Sequence, residues 1–293
     1  MQSEDRILGD VCYVNGAITS VDSARVSIFD RGFLFSDGIY EVCAVLNSNL
    51  IDNELHLSRF QRSAAEISLK MPVTLAEIAQ IQKELIHRNR LQQGVVYLQV
   101  TRGVASREFT FPTNSRPTLI MFTQAKDIIG ASIAKHGIAI KTVPDIRWKR
   151  RDIKSIALLA QVLAKQEAFD AGCQEAWLVE EGYITEGASS TAFMITPNQV
   201  IVTRPTSTAI LPGVTRTALL ALSQETCFRI EERAFTVDEA QAASEAFITS
   251  ASNFVLPVVK VDGSEIADGK PGRITKRLRQ LYIGFAQSVS VVR

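Results

Sequence analysis

Residues 145–179 read DIRWKRRDIKSIALLAQVLAKQEAFDAGCQEAWLV, and this stretch decides more about the fold than any other. A charged, aromatic segment leads to Lys154, and an apolar run follows from Ser155. The pattern predicts a helix from about Ser155 to Ala171, with Gly172 just past its end. A short apolar run at 175–179 then predicts a buried strand.

Helices and strands alternate on both sides of this stretch, which predicts a mixed α/β protein. Thr74, followed by Glu77 three residues later, predicts a capping box at the start of one helix. Helices are predicted at Asn53–Leu69, Thr74–Arg90, Gly213–Glu225 and from Gly272 onward; strands at 94–103, 117–123, 138–143, 191–195, 200–203, 246–250 and 254–260. The mixed segment 124–137 is the candidate link, which divides the chain into a small N-terminal domain, 1–125, and a larger domain, 130–293.

Length and composition agree with two globular domains. The chain has 293 residues, of which 46% are hydrophobic and 22% charged. At about 150 residues per domain this length favours two domains, and the composition excludes disorder as the main state. The net charge of +1 is unlike the basic excess of nucleic-acid-binding proteins, so we expect no nucleic-acid partner.

The cysteines and histidines predict no metal site. Cys12, Cys43, Cys173 and Cys227 form no CxxC pair and are expected to be reduced thiols, and the three histidines match no metal spacing. The polar, acidic start MQSEDRILGD is unlike a signal peptide, and no apolar run approaches the roughly 20 residues of a membrane span. We therefore expect a cytoplasmic protein without a membrane partner.

Lys154 is the most informative residue for chemistry. A lysine between a charged segment and apolar packing loses solvation, and the neighbouring arginines act in the same direction, toward a neutral, nucleophilic amine. A lysine that forms a Schiff base needs this property. Taken alone, the pattern favours an exposed lysine in the first turn of a helix.

Three further segments suggest a site but are individually weak. Glu186 lies among small hydroxyl residues at 183–191, where a buried carboxylate could pair with a protonated ring nitrogen. The segment 211–216 (LPGVTR) opens a helix whose free amides could bind phosphate, and 249–253 (TSASN) could add hydroxyl and amide groups. Ordinary turns and caps would look the same.

Taken together, these segments resemble the class IV pyridoxal-phosphate aminotransferases, also called fold type IV. The matching runs, in order, are RGFLFSDGIYEV (31–42), the stretch 145–179, TEGASSTAF (185–193) and LPGVTR (211–216). The resemblance extends from about Val14 to about Ala286. It implies a two-domain fold type IV enzyme with pyridoxal 5′-phosphate as its cofactor.

The resemblance also implies roles for individual residues. Lys154 corresponds to the Schiff-base lysine, which also moves the substrate proton. Glu186 corresponds to the glutamate that keeps the pyridine nitrogen protonated. Arg59, in LHLSRFQRSA (55–64), corresponds to the arginine that binds the cofactor phosphate.

Further cofactor contacts are implied in the second half of the chain. Val214 and Thr215 would bind the phosphate, and Leu211 would pack on the cofactor ring. Ala251 stands where the family often has a hydroxyl, so that contact would come from its backbone amide or from Ser250.

The loop after the strand at 94–103 resembles the D-amino-acid aminotransferases. In those enzymes a loop arginine reaches across a homodimer interface to the substrate carboxylate, which is the role implied for Arg107. Tyr40 would be a further donor to that carboxylate, and Tyr97 would line the pocket. This chain reads Arg107-Glu108-Phe109 where the family has arginine, any residue, histidine. Phe109 cannot donate a hydrogen bond, which predicts weaker binding of D-amino acids or broader specificity.

The expected reaction is transamination between a D-amino acid such as D-alanine and a 2-oxo acid such as 2-oxoglutarate. Three other family activities stay open: transamination of branched-chain L-amino acids, transamination of R-amines and the aminodeoxychorismate lyase reaction. A cofactor-binding protein without turnover is a further alternative, which the Lys154 and Glu186 pair disfavours.

Overall fold

The computed structural model describes residues 8–224 and 228–289, which form two compact units. The first unit contains the described residues 8–127, 153–157 and 286–289, and the second contains 128–152, 158–224 and 228–285. Cys227, Glu225 and most of the acidic N-terminal segment lie outside the described residues. The division at 125–130 inferred from the sequence stays a prediction.

The first unit contains a six-stranded antiparallel sheet in the order β2-β1-β6-β5-β3-β4. Its strands are β1 Val11–Val14, β2 Ala17–Ser20, β3 Gly38–Leu46, β4 Asn49–Leu50, β5 Gln93–Thr101 and β6 Thr118–Ala125. Its helices are α1 Arg31–Phe35, α2 Asn53–Glu66 and α3 Leu75–Arg88. β3 and β5 pair along nine residues, from Gly38 opposite Thr101 to Leu46 opposite Gln93.

Helices α2 and α3 form where their apolar spacing predicts them. Leu57, Phe60 and Ala64 on α2 are buried in the core of this unit. Thr74 and Glu77 make the expected capping box, in which the Thr74 hydroxyl accepts from the Glu77 amide and the Glu77 carboxylate accepts from the Thr74 amide. The apolar stripe explains why both helices lie within a few residues of their predicted bounds, and the capping box explains where α3 begins.

The second unit contains a nine-stranded mixed sheet in the order β12-β11-β10-β13-β14-β7-β8-β9, with β15 paired to β14. Its strands are β7 Ile138–Pro144, β8 Glu175–Glu180, β9 Tyr183–Gly187, β10 Thr191–Ile195, β11 Ile201–Thr203, β12 Ile230–Glu232, β13 Glu245–Ser250, β14 Phe254–Val261 and β15 Ser264–Glu265. The remaining helices are α4 Ser132–His136, α5 Leu159–Asp170, α6 Val214–Gln224, α7 Val237–Gln241 and α8 Arg273–Val289. The sheet curls, because β9 is hydrogen-bonded to β8 and also contacts β10.

The helix predicted to begin at Ser155 begins instead at Leu159, so the sequence prediction is wrong for its first turn. Residues 154–156 are extended and hydrogen-bond to β3: the Tyr40 amide donates to the Lys154 carbonyl, and the Ile156 amide donates to the Gly38 carbonyl. Backbone groups used in this pairing cannot also make helical bonds, which explains the late start. Gly172 does follow the helix end, with a φ of +74°.

None of the helices in the described part of the chain is both long enough and apolar enough to cross a membrane. Cys12, Cys43 and Cys173 are free thiols. The mixed α/β class inferred from the sequence is confirmed.

Candidate active site

Lys154 lies in the first unit, on the extended segment that pairs with β3. Its carbonyl accepts from the Tyr40 amide at 3.0 Å, and its amide donates to the Ser63 hydroxyl at 3.3 Å. The backbone of Lys154 is therefore fixed on both sides.

The Lys154 amine lies over the ring of Tyr40, which stacks in turn on Tyr97. Its Nζ is 4.2 Å from the centre of the Tyr40 ring, and that ring stacks on Tyr97 at a centroid distance of 5.6 Å. The Tyr97 hydroxyl donates to the Gln99 side chain, and burial raises the pKa of Tyr97. The structure thus brings together Lys154, Tyr40 and Tyr97, three of the residues singled out from the sequence.

Arg59 is buried on α2 and binds a carboxylate that sequence reasoning missed. Its Nε and Nη2 atoms donate to the two carboxylate oxygens of Glu41 at 2.6 and 2.8 Å. His56 lies 2.8 Å from the same carboxylate through Nδ1. Arg59 and His56 hold the pKa of Glu41 far below its ordinary value, against the opposing effect of burial. Because the partners are 18 residues apart in sequence, no local pattern signals the pair.

Arg107 lies on the loop between β5 and β6. It is exposed, and its guanidinium carbon lies 5.4 Å from the centre of the Phe35 ring and 5.9 Å from that of the Phe109 ring. Phe109 is 79% exposed and contacts Phe35 at a centroid distance of 5.4 Å. Phe35 and Phe109 therefore form an aromatic pair beside Arg107.

Glu186 lies in the second unit, near the end of β9, with only 3% of its surface exposed. The Arg147 Nη1 donates to its Oε1 at 2.6 Å, and the Leu211 amide lies 3.1 and 3.2 Å from its two oxygens. Burial raises the pKa of Glu186, whereas Arg147 and the Leu211 amide act in the opposite direction. The two donors oppose the effect of burial only in part, so the pKa of Glu186 stays above its ordinary value.

Arg147 is a second residue that sequence reasoning misjudged. Its Nε and Nη2 donate to the carboxylate of Asp145 at 2.9 and 2.7 Å, while Nη1 donates to Glu186. Thr185 also donates to Asp145. The sequence interpretation gave the arginines at 147–151 an effect on Lys154, but Arg147 pairs with carboxylates, and so does Arg151, which binds Glu180.

The backbone just after Leu211 approaches β10, which pairs in turn with the end of β13. A Cβ on Gly213 would stand 2.6 Å from the Thr191 hydroxyl, so the backbone here approaches β10 closely. Thr191 is opposite Thr249 in the β10–β13 ladder. The hydroxyls of Thr249 and Ser250 are buried and have no hydrogen-bond partner within the described structure.

The start of α6 and the turn after β13 complete this part of the second unit. Val214 and Thr215 are the first two residues of α6, and both are buried. Ala251 follows Ser250 in the turn that joins β13 to β14. Free amides at a helix start and unpartnered hydroxyls are groups that bind an anion. Across residues 8–224 and 228–289, no cluster of three or more histidine, cysteine or acidic side chains could hold a metal ion.

The sequence also matches a known family over most of its length. The family model for amino-transferase class IV matches residues 38–261. A D-alanine aminotransferase from Staphylococcus aureus (strain MSSA476) is 38% identical over 280 residues, which are 95% of this chain and 99% of that protein.

The chain belongs to the amino-transferase class IV family. A second D-alanine aminotransferase, from Bacillus licheniformis, is 39% identical to this class IV member over 268 residues, with coverage of 90% of this chain and 93% of the relative. The resemblance inferred from the four sequence motifs is therefore confirmed.

Solved structures of this class have the same fold. A branched-chain amino acid aminotransferase from Escherichia coli superposes with a TM-score of 0.85 at 22% identity, with coverage of 95% of this chain and 94% of that one. The T.th. branched-chain amino acid aminotransferase, complexed with N-(5′-phosphopyridoxyl)-L-glutamate, gives a TM-score of 0.88 at 22% identity, with coverage of 97% and 96%. Both confirm fold type IV for this chain.

Proposed function

We propose that this class IV aminotransferase uses pyridoxal 5′-phosphate to transfer the amino group of a D-amino acid, such as D-alanine, to a 2-oxo acid, such as 2-oxoglutarate. The observation that carries the proposal is the 38% identity to a D-alanine aminotransferase over 95% of the chain. Transamination in general follows from the family, and the D configuration is the proposed part.

The second unit supplies groups that fit this cofactor. Its phosphate requires several donors, and the start of α6 offers the Val214 and Thr215 amides, while the buried hydroxyls of Thr249 and Ser250 have no other partner in the described structure. Its pyridine nitrogen requires a carboxylate, which Glu186 provides. When bound, the cofactor acts as an electron sink that stabilises negative charge at the substrate Cα.

Arg147 favours the charged form of Glu186, which burial disfavours. An isolated carboxylate would become neutral there, because burial disfavours its charged form. The guanidinium of Arg147 and the Leu211 amide oppose this effect. Glu186 can then hold a proton on a ring nitrogen beside it.

Lys154 supplies the amine that binds the cofactor and later serves as the general base. Its backbone is fixed to β3 and Ser63, so Nζ starts from a defined position over the Tyr40 ring. Once free, Nζ would take the proton from the substrate Cα and deliver it to C4′ of the cofactor, and the second half-reaction would run this transfer in reverse. Tyr40 and Tyr97 lie on the same face of the sheet, where Tyr40 offers its hydroxyl to the substrate and Tyr97 lines the pocket.

Arg107 is the proposed partner of the substrate carboxylate, since a guanidinium matches a carboxylate with two parallel hydrogen bonds. Arg59 has a different setting, because its fork already binds Glu41. We propose that Arg59 also donates to the cofactor phosphate. Glu41 then fixes the direction of that contact.

Homodimer formation and a cytoplasmic location belong to the same proposal. Large apolar side chains are exposed on each unit considered separately, including Phe33 and Phe109 on the first and Leu159 and Phe169 on the second. Exposed apolar patches of this kind are typical of protein interfaces. Light scattering at the elution peak should give twice the 32.2 kDa of one chain.

The first test is the half-reaction, followed through the absorption spectrum of the bound cofactor. D-alanine, L-leucine and an R-amine are each mixed with the holoenzyme without an acceptor. We expect D-alanine to convert the pyridoxal form to the pyridoxamine form. Conversion by L-leucine instead would replace the proposal by branched-chain transamination. Repeated release of pyruvate from aminodeoxychorismate, with the cofactor still in its pyridoxal form, would favour the lyase.

A second test identifies the cofactor lysine. Borohydride reduction followed by peptide mapping should place a phosphopyridoxyl group on Lys154. Lys154→Ala should lose the label and lower turnover by roughly 10²–10⁴-fold or more. Lys149→Ala, at a side chain that is 80% exposed, is the matched control and should keep both. A label on another lysine would contradict the assignment.

A further inference from the structure

A buried arginine holds the loop that carries Arg107. Arg31, at the start of α1, is only 3% exposed. Its Nη1 donates to the Glu108 carbonyl at 2.5 Å and lies 3.4 Å from the Thr110 carbonyl, and its Nη2 lies 3.4 Å from the Phe109 carbonyl. One guanidinium thus contacts three consecutive carbonyl groups, directly after Arg107 in the chain.

A single carboxylate oxygen orients this arginine and a second one. Asp37 Oδ2 accepts from Arg31 Nε at 2.7 Å and from Arg102 Nε at 2.8 Å. Arg102 lies 3.6 Å from the centre of the Phe111 ring and donates to the Ile67 and Ser68 carbonyls. The two arginines therefore fix the loop at residues 108–110 and at Phe111.

This anchoring contrasts with the exposure of the segment that it holds. Glu108, Phe109 and Thr110 are all exposed, so apolar burial contributes little to their position. Arg31 supplies the hydrogen bonds that hold the backbone of residues 108–110, besides the ring contacts of Phe109 with Phe35 and of Phe111 with Arg102. A lysine could not replace it, because an ammonium is a point charge and lacks the planar fork that reaches several acceptors at once.

We propose that Arg31 is a positioning residue for substrate recognition, which sets Arg107 for the substrate carboxylate through the backbone of residues 108–110. The inference rests on the proposed role of Arg107 and adds a determinant that lies outside the binding contacts. Arg31 itself need not touch the substrate. Its effect should appear in the binding of carboxylate-bearing substrates and in the motion of the loop.

The test compares Arg31→Lys with Arg25→Lys in the holoenzyme. Arg25 is an exposed arginine that binds carbonyls of its own turn, those of Asp22 and Ala24, so its variant controls for loss of a guanidinium. We expect Arg31→Lys to raise the KM for D-alanine roughly tenfold with little change in kcat. Hydrogen exchange of the 107–111 amides should become faster, and Arg25→Lys should change neither.

Two further variants separate a positioning role from a merely structural one. If Arg31 acts through Arg107, Arg31→Lys should raise the KM much less in an Arg107→Ala background than in the wild type. If Arg31→Lys does not fold, Asp37→Asn takes its place in the test. It keeps Arg31 but weakens the contact that orients it, so we expect a smaller rise in the KM. Faster loop exchange with an unchanged KM would overturn the proposal, and so would full additivity with Arg107→Ala.

Failure of the proposed function would look different. It would show in the wild-type enzyme as a lack of conversion of D-alanine. The KM comparison is then made with the amino acid that the wild type does convert, where a rise in Arg31→Lys supports the positioning role and an unchanged value overturns it.

Discussion

Replacing Glu41 with glutamine should destabilise the first unit strongly. Glu41 lies in the middle of β3 with no exposed surface, and it accepts two hydrogen bonds from Arg59 besides its contact with His56. Glutamine keeps nearly the same shape but removes the charge. The variant therefore leaves the buried guanidinium of Arg59 without its counter-ion.

The expected magnitude follows from this geometry. Removing one partner of a buried ion pair costs about 3–5 kcal/mol, because the other charge stays buried without compensation. At roughly 2–4 °C per kcal/mol, the unfolding midpoint should fall by about 10 °C. Hydrogen exchange of the β3 amides should become faster as well, which assigns the loss to the first unit.

The effect should depend on pH in a defined direction. Arg59 and His56 hold the pKa of Glu41 below its ordinary value of 4.5 in the folded protein. A carboxyl with a lowered pKa stabilises the fold above the pKa of the unfolded chain, and this contribution is lost as the pH falls toward the folded pKa. The difference between wild type and Glu41→Gln should therefore be full at neutral pH and shrink below about pH 4.5.

The matched control is Glu84→Gln. Glu84 pairs with Arg88 one helical turn away, and both side chains are about half exposed. Such pairs contribute about 0.3–0.5 kcal/mol, so calorimetry should detect almost no change. A loss below about 1 kcal/mol for Glu41→Gln would refute the argument that the buried charge is needed.

Three further changes test separate parts of the structure. Arg147→Met should weaken binding of pyridoxal phosphate to the apoenzyme by about tenfold or more, because Glu186 loses its guanidinium partner and the pKa of Glu186 rises further. Fluorescence titration measures this affinity, and an unchanged value would contradict the prediction. Phe109→His should lower the KM for D-alanine severalfold by adding a donor beside Arg107, whereas an equal KM would show that the aromatic residue does not weaken binding. Thr74→Ala should cost about 1 kcal/mol in urea unfolding through loss of the helix cap, and no loss would mean that the capping box is dispensable.

Local patterns predicted the elements that local chemistry determines. The start of α3 is signalled by its own Thr74 cap, and the end of α5 is signalled by Gly172. The predicted start of α5 was wrong, because residues 154–156 pair with a strand more than 100 residues earlier. An apolar run after Lys154 carries no trace of that distant pairing.

The same distinction applies to the candidate site. Lys154, Glu186 and the start of α6 could be singled out from residue type and neighbours. The groups that hold them could not, since Arg147 meets Glu186 across 39 residues of sequence, and Glu41 meets Arg59 across 18. Contacts between distant charged residues depend on the tertiary fold, which no local spacing shows.

The membership of residues 153–157 in the first unit has a consequence for synthesis. This unit receives its Ile153 core side chain and its pairing at β3 only after the ribosome has passed residue 157. Translation from residue 127 to residue 157 takes about 2–6 s at roughly 5–20 residues per second. During that interval the emerging sheet exposes the unpaired backbone groups near Gly38 and Tyr40 to other chains. The lysine that the chemistry needs thus arrives on the segment that also closes this exposed edge.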